Sequence, residues 1–220
     1  WMSPFSPVEG YKFLFAPGEN KEELTKLMMD QIDNFCINNK ILSCNFLYVD
    51  QDWRVYAEKA NCATWVNQNS LWSSNGEKTF SDYLARFNAN QRRNIKRERS
   101  SINNLGIEVS IKSGREIDLD DIYLMHDFYE RHCSRWGAWG SKYLTKEFFQ
   151  ELASIKQRDN VVLFIGRSNK ELDPLAMSLC IKNEDILWGR YWGTNSEINF
   201  LHFELCYYSP ISWALENKLK

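Results

Sequence analysis

Residues 161–192 hold three apolar runs separated by two short polar breaks, and this pattern limits the fold more than any other stretch. Val161 to Ile165 is continuously apolar, and Asn169-Lys170 is a turn signal. Leu175 to Ile181 follows, then the tighter turn Asn183-Glu184-Asp185, then Ile186 to Trp192. Runs this short with breaks this short predict an antiparallel meander. Upstream, Ile107, Val109 and Ile111 alternate with Glu108, Ser110 and Lys112, the signature of a half-buried strand. Two helices fill the gap between. Asp118 caps one in which Ile122, Met125, Tyr129 and Cys133 share a face, and Thr145 caps another carrying Phe148, Phe149 and Leu152. A last helical stretch runs from about Asn199 onward. Residues 105–220 therefore read β-α-α-β-β-β-α.

The first half has the same character in rougher form. Residues 1–10 are rich in Ser and Pro and predict a loop. Tyr11 to Ala16 predicts a strand ended by Pro17-Gly18. Asn20 caps a helix with Glu22 and Glu23 in its first turn, where the helix dipole favours acids. Leu24, Leu27, Met28 and Ile32 recur in that helix at helical spacing. Ile41 to Val49 predicts a buried strand, Trp53 to Ala60 a short helix, and Cys62 to Trp72 another strand. Asn75-Gly76 is a turn, Thr79 caps a helix from Phe80, and a further helix covers about Asn90 to Asn104. Gly106 stops that helix at a position suited to a left-handed cap. These patterns divide the chain into halves at 1–104 and 105–220, with no Pro/Ser linker between them, so one compact unit is expected.

Composition narrows the class. The 220 residues are 44% hydrophobic and 25% charged, ordinary globular values. The longest apolar runs fall far short of the roughly 20 residues that span a bilayer, and no charged-then-apolar leader pattern is present. Cys36, Cys44, Cys62, Cys133, Cys180 and Cys206 form no C-x-x-C pair, which predicts free thiols in a reducing compartment, hence the cytoplasm. His126, His132 and His202 show no metal-ligand spacing, so no metal site is expected. The net charge of −2 hides an uneven spread. Residues 91–99, QRRNIKRER, carry five cations and one acid.

Several strings carry a family likeness: RWGAWGSKYLTKEFF at 135–149, GRYWG at 189–193, FLHFELCYY at 200–208, RRNIKRER at 92–99 and SPFSPVEG at 3–10. Together they resemble the FemAB-like family of the GNAT acyltransferase superfamily. The resemblance implies an α/β fold, a tandem GNAT-like mixed sheet with flanking helices. It also implies that the second GNAT unit is truncated at its C-terminus, because family members continue with a strand and a Gly-Glu-His-Lys segment. A sheet so shortened would leave Ile186 to Trp192 as an open edge, and either a homo-oligomer through it or poor solubility is expected. Family members lack a proline where Pro210 stands. Ser209-Pro210 either kinks the last helix or starts a new one with Ser209 as cap.

The implied activity is transfer of an acyl or aminoacyl group to an amine acceptor in peptidoglycan-type precursor synthesis. Aminoacyl-tRNA would be the donor and a lipid-linked precursor the acceptor, with no resident cofactor. Two alternatives stand beside it: a coenzyme A-dependent N-acetyltransferase, and a non-catalytic module that binds envelope precursors. The loop GTNSEINF at 193–200 has one glycine and carries Glu197, which counts against acetyl-CoA.

Each candidate residue has two readings. Arg190, Tyr191 and Trp192 end the third meander strand. Strand alternation predicts Arg190 and Trp192 on one face and Tyr191 on the other, with Arg190 binding phosphate or carboxylate or pairing with a core acid. His202 and Glu204 are candidate proton acceptors for the amine, or members of a buried polar network. Trp136 and Trp139, on a glycine-rich turn, wall a ligand site or plug the core. Arg92, Arg93, Lys96, Arg97 and Arg99 would hold a polyanion such as tRNA, a lipid pyrophosphate or a membrane surface. Alternatively they pair with acids elsewhere in the chain.

Overall fold

The computed structural model describes residues 9–66, 70–137, 140, 142–154, 156–169 and 173–219. The opening SPF motif, Trp139, Lys170 of the first meander turn and part of the expected strand Cys62 to Trp72 lie outside the described residues. The chain divides into two compact units, Trp1–Ser70 and Leu71–Lys220. The basic helix, read from the sequence with the first half, belongs to the second unit.

In the first unit, α1 (Lys21–Asn38) starts at Asn20, whose side chain accepts from the Glu23 amide, and α2 (Gln51–Lys59) starts at Asp50, which accepts from Asp52 and Trp53. Met29, Trp53 and Ala57 form a small core ringed by Tyr11, Phe13, Phe46 and Val49. Among the described residues the expected strands at 11–16 and 41–49 form no ladder. Among the described residues of this unit, one parallel bridge, Tyr11 to Val49, is the whole of the β pairing. Lys40 and Tyr48 take positive φ, 55° and 54°, which breaks the extended path of 41–49.

The second unit is built on a four-stranded antiparallel sheet in the order β1 (Ile107–Ser113), β2 (Val161–Ser168), β3 (Pro174–Lys182), β4 (Leu187–Thr194). The mixed sheet expected from the resemblance is not seen among the described residues, since every ladder in it is antiparallel. The turn between β3 and β4 is closed by Asn183, whose side chain accepts from the amides of Asp185 and Ile186.

β2 explains its own sequence. Val161, Leu163 and Ile165 pack on one face with Ile122, Met125 and Phe128 of α5 (Leu119–Ser134) and Phe149 of α6 (Lys146–Leu152). Val162 and Phe164 pack on the other with Ile102 and Leu201. A strand covered on both faces has no polar side to alternate. α5 lies very close to β4, because a Cβ on Gly193 would meet the Phe128 carbonyl oxygen at 2.3 Å.

The second face is covered by α4 (Ala89–Asn104) and by a C-terminal helical run. α3 (Phe80–Ala85) adds a satellite cluster, in which Tyr83 and Leu84 pack with Leu215. The run comprises α7 (Leu201–Phe203), a π segment (Glu204–Tyr208) and α8 (Ser209–Glu216). The π segment settles the question of Pro210. A proline in an α-helix clashes with the carbonyl four residues back, but here the helix widens before it and the Ser209 amide reaches Glu204 instead. Ser209 caps nothing with its side chain; its hydroxyl donates to Glu204 Oε1 at 2.8 Å. No helix of the described residues is long and apolar enough to cross a membrane.

Candidate functional site

The candidate strand residues do not share faces as alternation predicts. Between Leu179–Tyr191 and Cys180–Gly189 the register of β3 and β4 slips by one residue, and Arg190 is the extra residue. Tyr191 therefore joins the cluster under α5 and α6, and Trp192 joins the cluster on the opposite face. Arg190 lies over the Tyr191 ring, 5.4 Å from its centre, with a nitrogen 3.4 Å from its hydroxyl. The expectation that Arg190 and Trp192 face one crevice fails, because a single inserted residue reverses the period-two pattern.

A crevice does exist at the end of β4. It holds about 180 Å³ and is lined by Arg135, Trp192, Thr194, Ser196, Glu197, Ile198 and Asn199. Arg190 and Trp136 are not among these residues, and Trp136 is 64% exposed on its turn. Arg135 is the residue that sequence reasoning missed. It follows the last turn of α5, reaches the Thr194 carbonyl at 3.4 Å and stands 4.0 Å from Glu197. It is the first residue of the string RWGAWGSKYLTKEFF, where attention to the tryptophans passed over it. Arg131, one turn earlier, donates to Asn195 Oδ1. A broader depression of about 640 Å³ continues along the outer side of α5, past Asp127, Glu130 and Lys142.

The two candidate bases have separate fates. Glu204 is buried and both its oxygens are taken: Arg99 Nε at 3.0 Å, Arg99 Nη2 at 2.8 Å, and the Ser209 hydroxyl. The Arg99 guanidinium also lies 4.5 Å from the centre of the Phe80 ring. This is a structural clamp between α4 and the π segment, and it commits the Glu204 carboxylate to a buried ion pair. Beside it Tyr208 donates to Glu98 at 2.6 Å, and burial first, then that bond, push its phenol well above the ordinary range.

His202 stands differently. Its ring lies edge-on to Trp192 at 5.0 Å and is flanked by Phe203 and Tyr207. The side chain reaches solvent, yet the rings around it exclude enough water to disfavour an imidazolium. Burial first, then the charge of His132, hold His202 below its ordinary value. The backbone leading into it is unusual. Phe200 takes φ 69°, a left-handed conformation that costs a bulky residue about 1–3 kcal/mol and gathers at functional sites.

The basic helix divides as well. Arg99 belongs to the Glu204 clamp, and Arg92 is half-buried and donates to the Phe87 carbonyl. Arg93, Lys96 and Arg97 are exposed, and Arg93 donates to Asn90 of its own helix. Among the described residues no hydrogen bond or ion pair holds the side chain of Lys96 or Arg97. The exposed cations of the helix are therefore Arg93, Lys96 and Arg97, without Arg92 and Arg99.

The whole chain, residues 1–220, matches the FemAB-like family, described as peptidoglycan biosynthesis/recognition. The chain belongs to the FemAB-like family. That membership gives it a role in peptidoglycan biosynthesis or recognition. A comparison with curated proteins finds no match. The tandem arrangement of two GNAT-like halves has no counterpart in the first unit among the described residues, whose only β pairing is one bridge.

Proposed function

We propose that this FemAB-like chain transfers an acyl or aminoacyl group to an amine of a peptidoglycan-type precursor, at the crevice where β4 ends. The observation that carries this reading is the His202 imidazole packed on Trp192, which walls a cleft that also contains Arg135. In such a transfer the amine nitrogen attacks the donor carbonyl and forms the new N–C bond. The bond to the donor's leaving atom breaks, with its electron pair leaving on that atom. The proton released from nitrogen passes to His202, whose burial favours the neutral ring that can accept it. Arg135 offers a planar, permanently charged donor for a carboxylate or phosphate of either substrate. Glu197, 93% exposed, holds Arg135 only loosely and yields to such a group.

The donor is proposed to be an aminoacyl-tRNA, which the exposed cations Arg93, Lys96 and Arg97 would attract. Acetyl-CoA is disfavoured by Glu197 and by a loop whose sole glycine is Gly193. Recognition without turnover is the second reading. It is favoured by the Glu204 clamp, which removes one of the two candidate bases.

The test is transfer from an activated aminoacyl donor to an amine-bearing precursor, with precursor binding measured in parallel. His202→Asn should lower the rate roughly 10²-fold or more, the usual share of a general base, with binding kept. Arg135→Lys should weaken binding, because a point charge does not reproduce the guanidinium fork. Tight binding with no turnover in the wild type would make the chain a recognition module. An unchanged rate in His202→Asn would remove the crevice as the site of chemistry.

A further inference from the structure

Loop 193–200 divides its polar side chains between two tasks. Thr194 and Asn195 hold the loop in place. The Thr194 hydroxyl lies 3.0 Å from the Leu175 carbonyl and accepts from the Ser196 amide at 3.2 Å. The Asn195 carboxamide donates to the Pro174 carbonyl at 3.2 Å and accepts from Arg131 of α5, while its backbone amide donates to the Leu175 carbonyl. The loop is thus tied to the start of β3 and to α5 at once. Ser196, Glu197 and Asn199 do the opposite. All three are exposed, and all three line the crevice. Among the described residues the side chains of Ser196 and Asn199 make no hydrogen bond, and Glu197 makes only its 4.0 Å approach to Arg135. Polar groups held ready on a fixed loop lose little conformational freedom when a ligand arrives.

The remaining walls are apolar. Trp192 and Ile198 are both half-buried, and the His202 ring packs on Trp192. The crevice holds about 180 Å³, the room of about six waters, which suits one substituted six-membered ring. Its chemistry is selective. A hydroxyl and a carboxamide each donate and accept, a carboxylate only accepts, and a guanidinium only donates. Of the two anions that Arg135 suits, Glu197 beside it favours the carboxylate, which carries less charge than a phosphate. The matching ligand has an apolar face, a rim of hydroxyl or amide groups, and one carboxylate. We infer that the crevice is a carbohydrate subsite that takes one pyranose ring carrying a carboxylate. The C–H face of the ring lies on Trp192 and Ile198. Its hydroxyl and amide groups meet Ser196, Glu197 and Asn199, and its carboxylate binds Arg135. This placement leaves His202, which touches Trp192 but is not among the lining residues, to the amine-bearing arm of the same precursor.

The sugar subsite rests on the reading of the crevice as the precursor's site, but its test uses free saccharides and no transfer, so the two can fail separately. Backbone amide resonances of the full chain are followed by NMR during three titrations. The probes are N-acetylmuramic acid, N-acetylglucosamine, which lacks the lactyl carboxylate, and lactate, which lacks the ring. Both sugars should shift the amides of 193–200, and the acidic one should bind roughly tenfold tighter through its charged contact with Arg135. Arg135→Gln should abolish that difference and leave N-acetylglucosamine bound. Ser196→Ala combined with Asn199→Ala should weaken both sugars by about fivefold or more, and unchanged affinities in that variant overturn the inference. Should the double variant fail to fold, the wild-type titrations decide. Lactate binding as tightly as N-acetylmuramic acid makes the crevice an anion site only and overturns the subsite. Amides of 193–200 that neither sugar moves overturn it as well. Turnover in the transfer assay without sugar binding would keep the transferase reading and end this one.

Discussion

Residues 11–16 and 41–49 of the first unit and residues 161–192 of the second all read as strands, yet only the second set forms ladders. The difference lies in what each segment can reach. β2, β3 and β4 are neighbours in sequence joined by short turns, so pairing closes small loops at low entropic cost. The segments at 11–16 and 41–49 are separated by the 18 residues of α1, and Tyr48 at positive φ ends the extension just where it meets Tyr11. Apolar content is similar in the two regions. In the first, Leu14 is 91% exposed and Leu42 fully so, while in the second Leu163 and Phe164 are wholly buried. A run of apolar residues is a request for burial, and topology decides whether it is met.

Three measurements can break or sharpen this contrast. The largest effect is expected at the core. Phe164→Ala should destabilise the second unit by about 3–5 kcal/mol in urea denaturation, as truncation of a fully buried aromatic does. Leu14→Ala should move stability by less than about 0.5 kcal/mol. A comparable loss at both positions would mean that Leu14 is covered in solution and that the two regions differ less than they look.

The second measurement sets two cations of one helix against each other. Arg99→Ala leaves Glu204 buried without its partner and should cost about 3 kcal/mol, discounted somewhat because Arg99 is itself about one-third exposed. Lys96→Ala should cost almost nothing, yet it should reduce the salt dependence of RNA binding. If Lys96→Ala unfolds the protein, the exposed patch is structural after all.

The smallest effect is in pH. His132 and His202 both sit below their ordinary values in the fold. The unfolded chain therefore takes up more protons than the fold as pH drops below about 6.5. Stability contributed by these neutral rings is present above that pH and declines below it. Replacing both with Asn should flatten this part of the stability–pH curve measured by thermal unfolding, and an unchanged slope would assign it to other groups.

The candidate site was legible in pieces. The string 200–208 pointed to His202, while the loop at 193–200, which lines the crevice, was read only for its lack of glycines. Arg190 was placed on the wrong face because a bulge in β4 leaves no mark on the residues that form it. Glu204 looked like a base because its partner, Arg99, is 105 residues away in the chain.

What the sequence determined by itself is what neighbouring residues decide among themselves. Asn20, Thr79, Asp118 and Thr145 cap helices that begin where they stand, because a cap is a bond between groups three residues apart. The meander follows from short turns between apolar runs for the same reason. The tertiary structure decided what depends on distant partners. It set the failure of the first unit's strands, the π segment that accommodates Pro210 and the clamp on Glu204. Those outcomes are set by packing of elements against one another, and a burial preference written in the sequence does not say which surface will answer it.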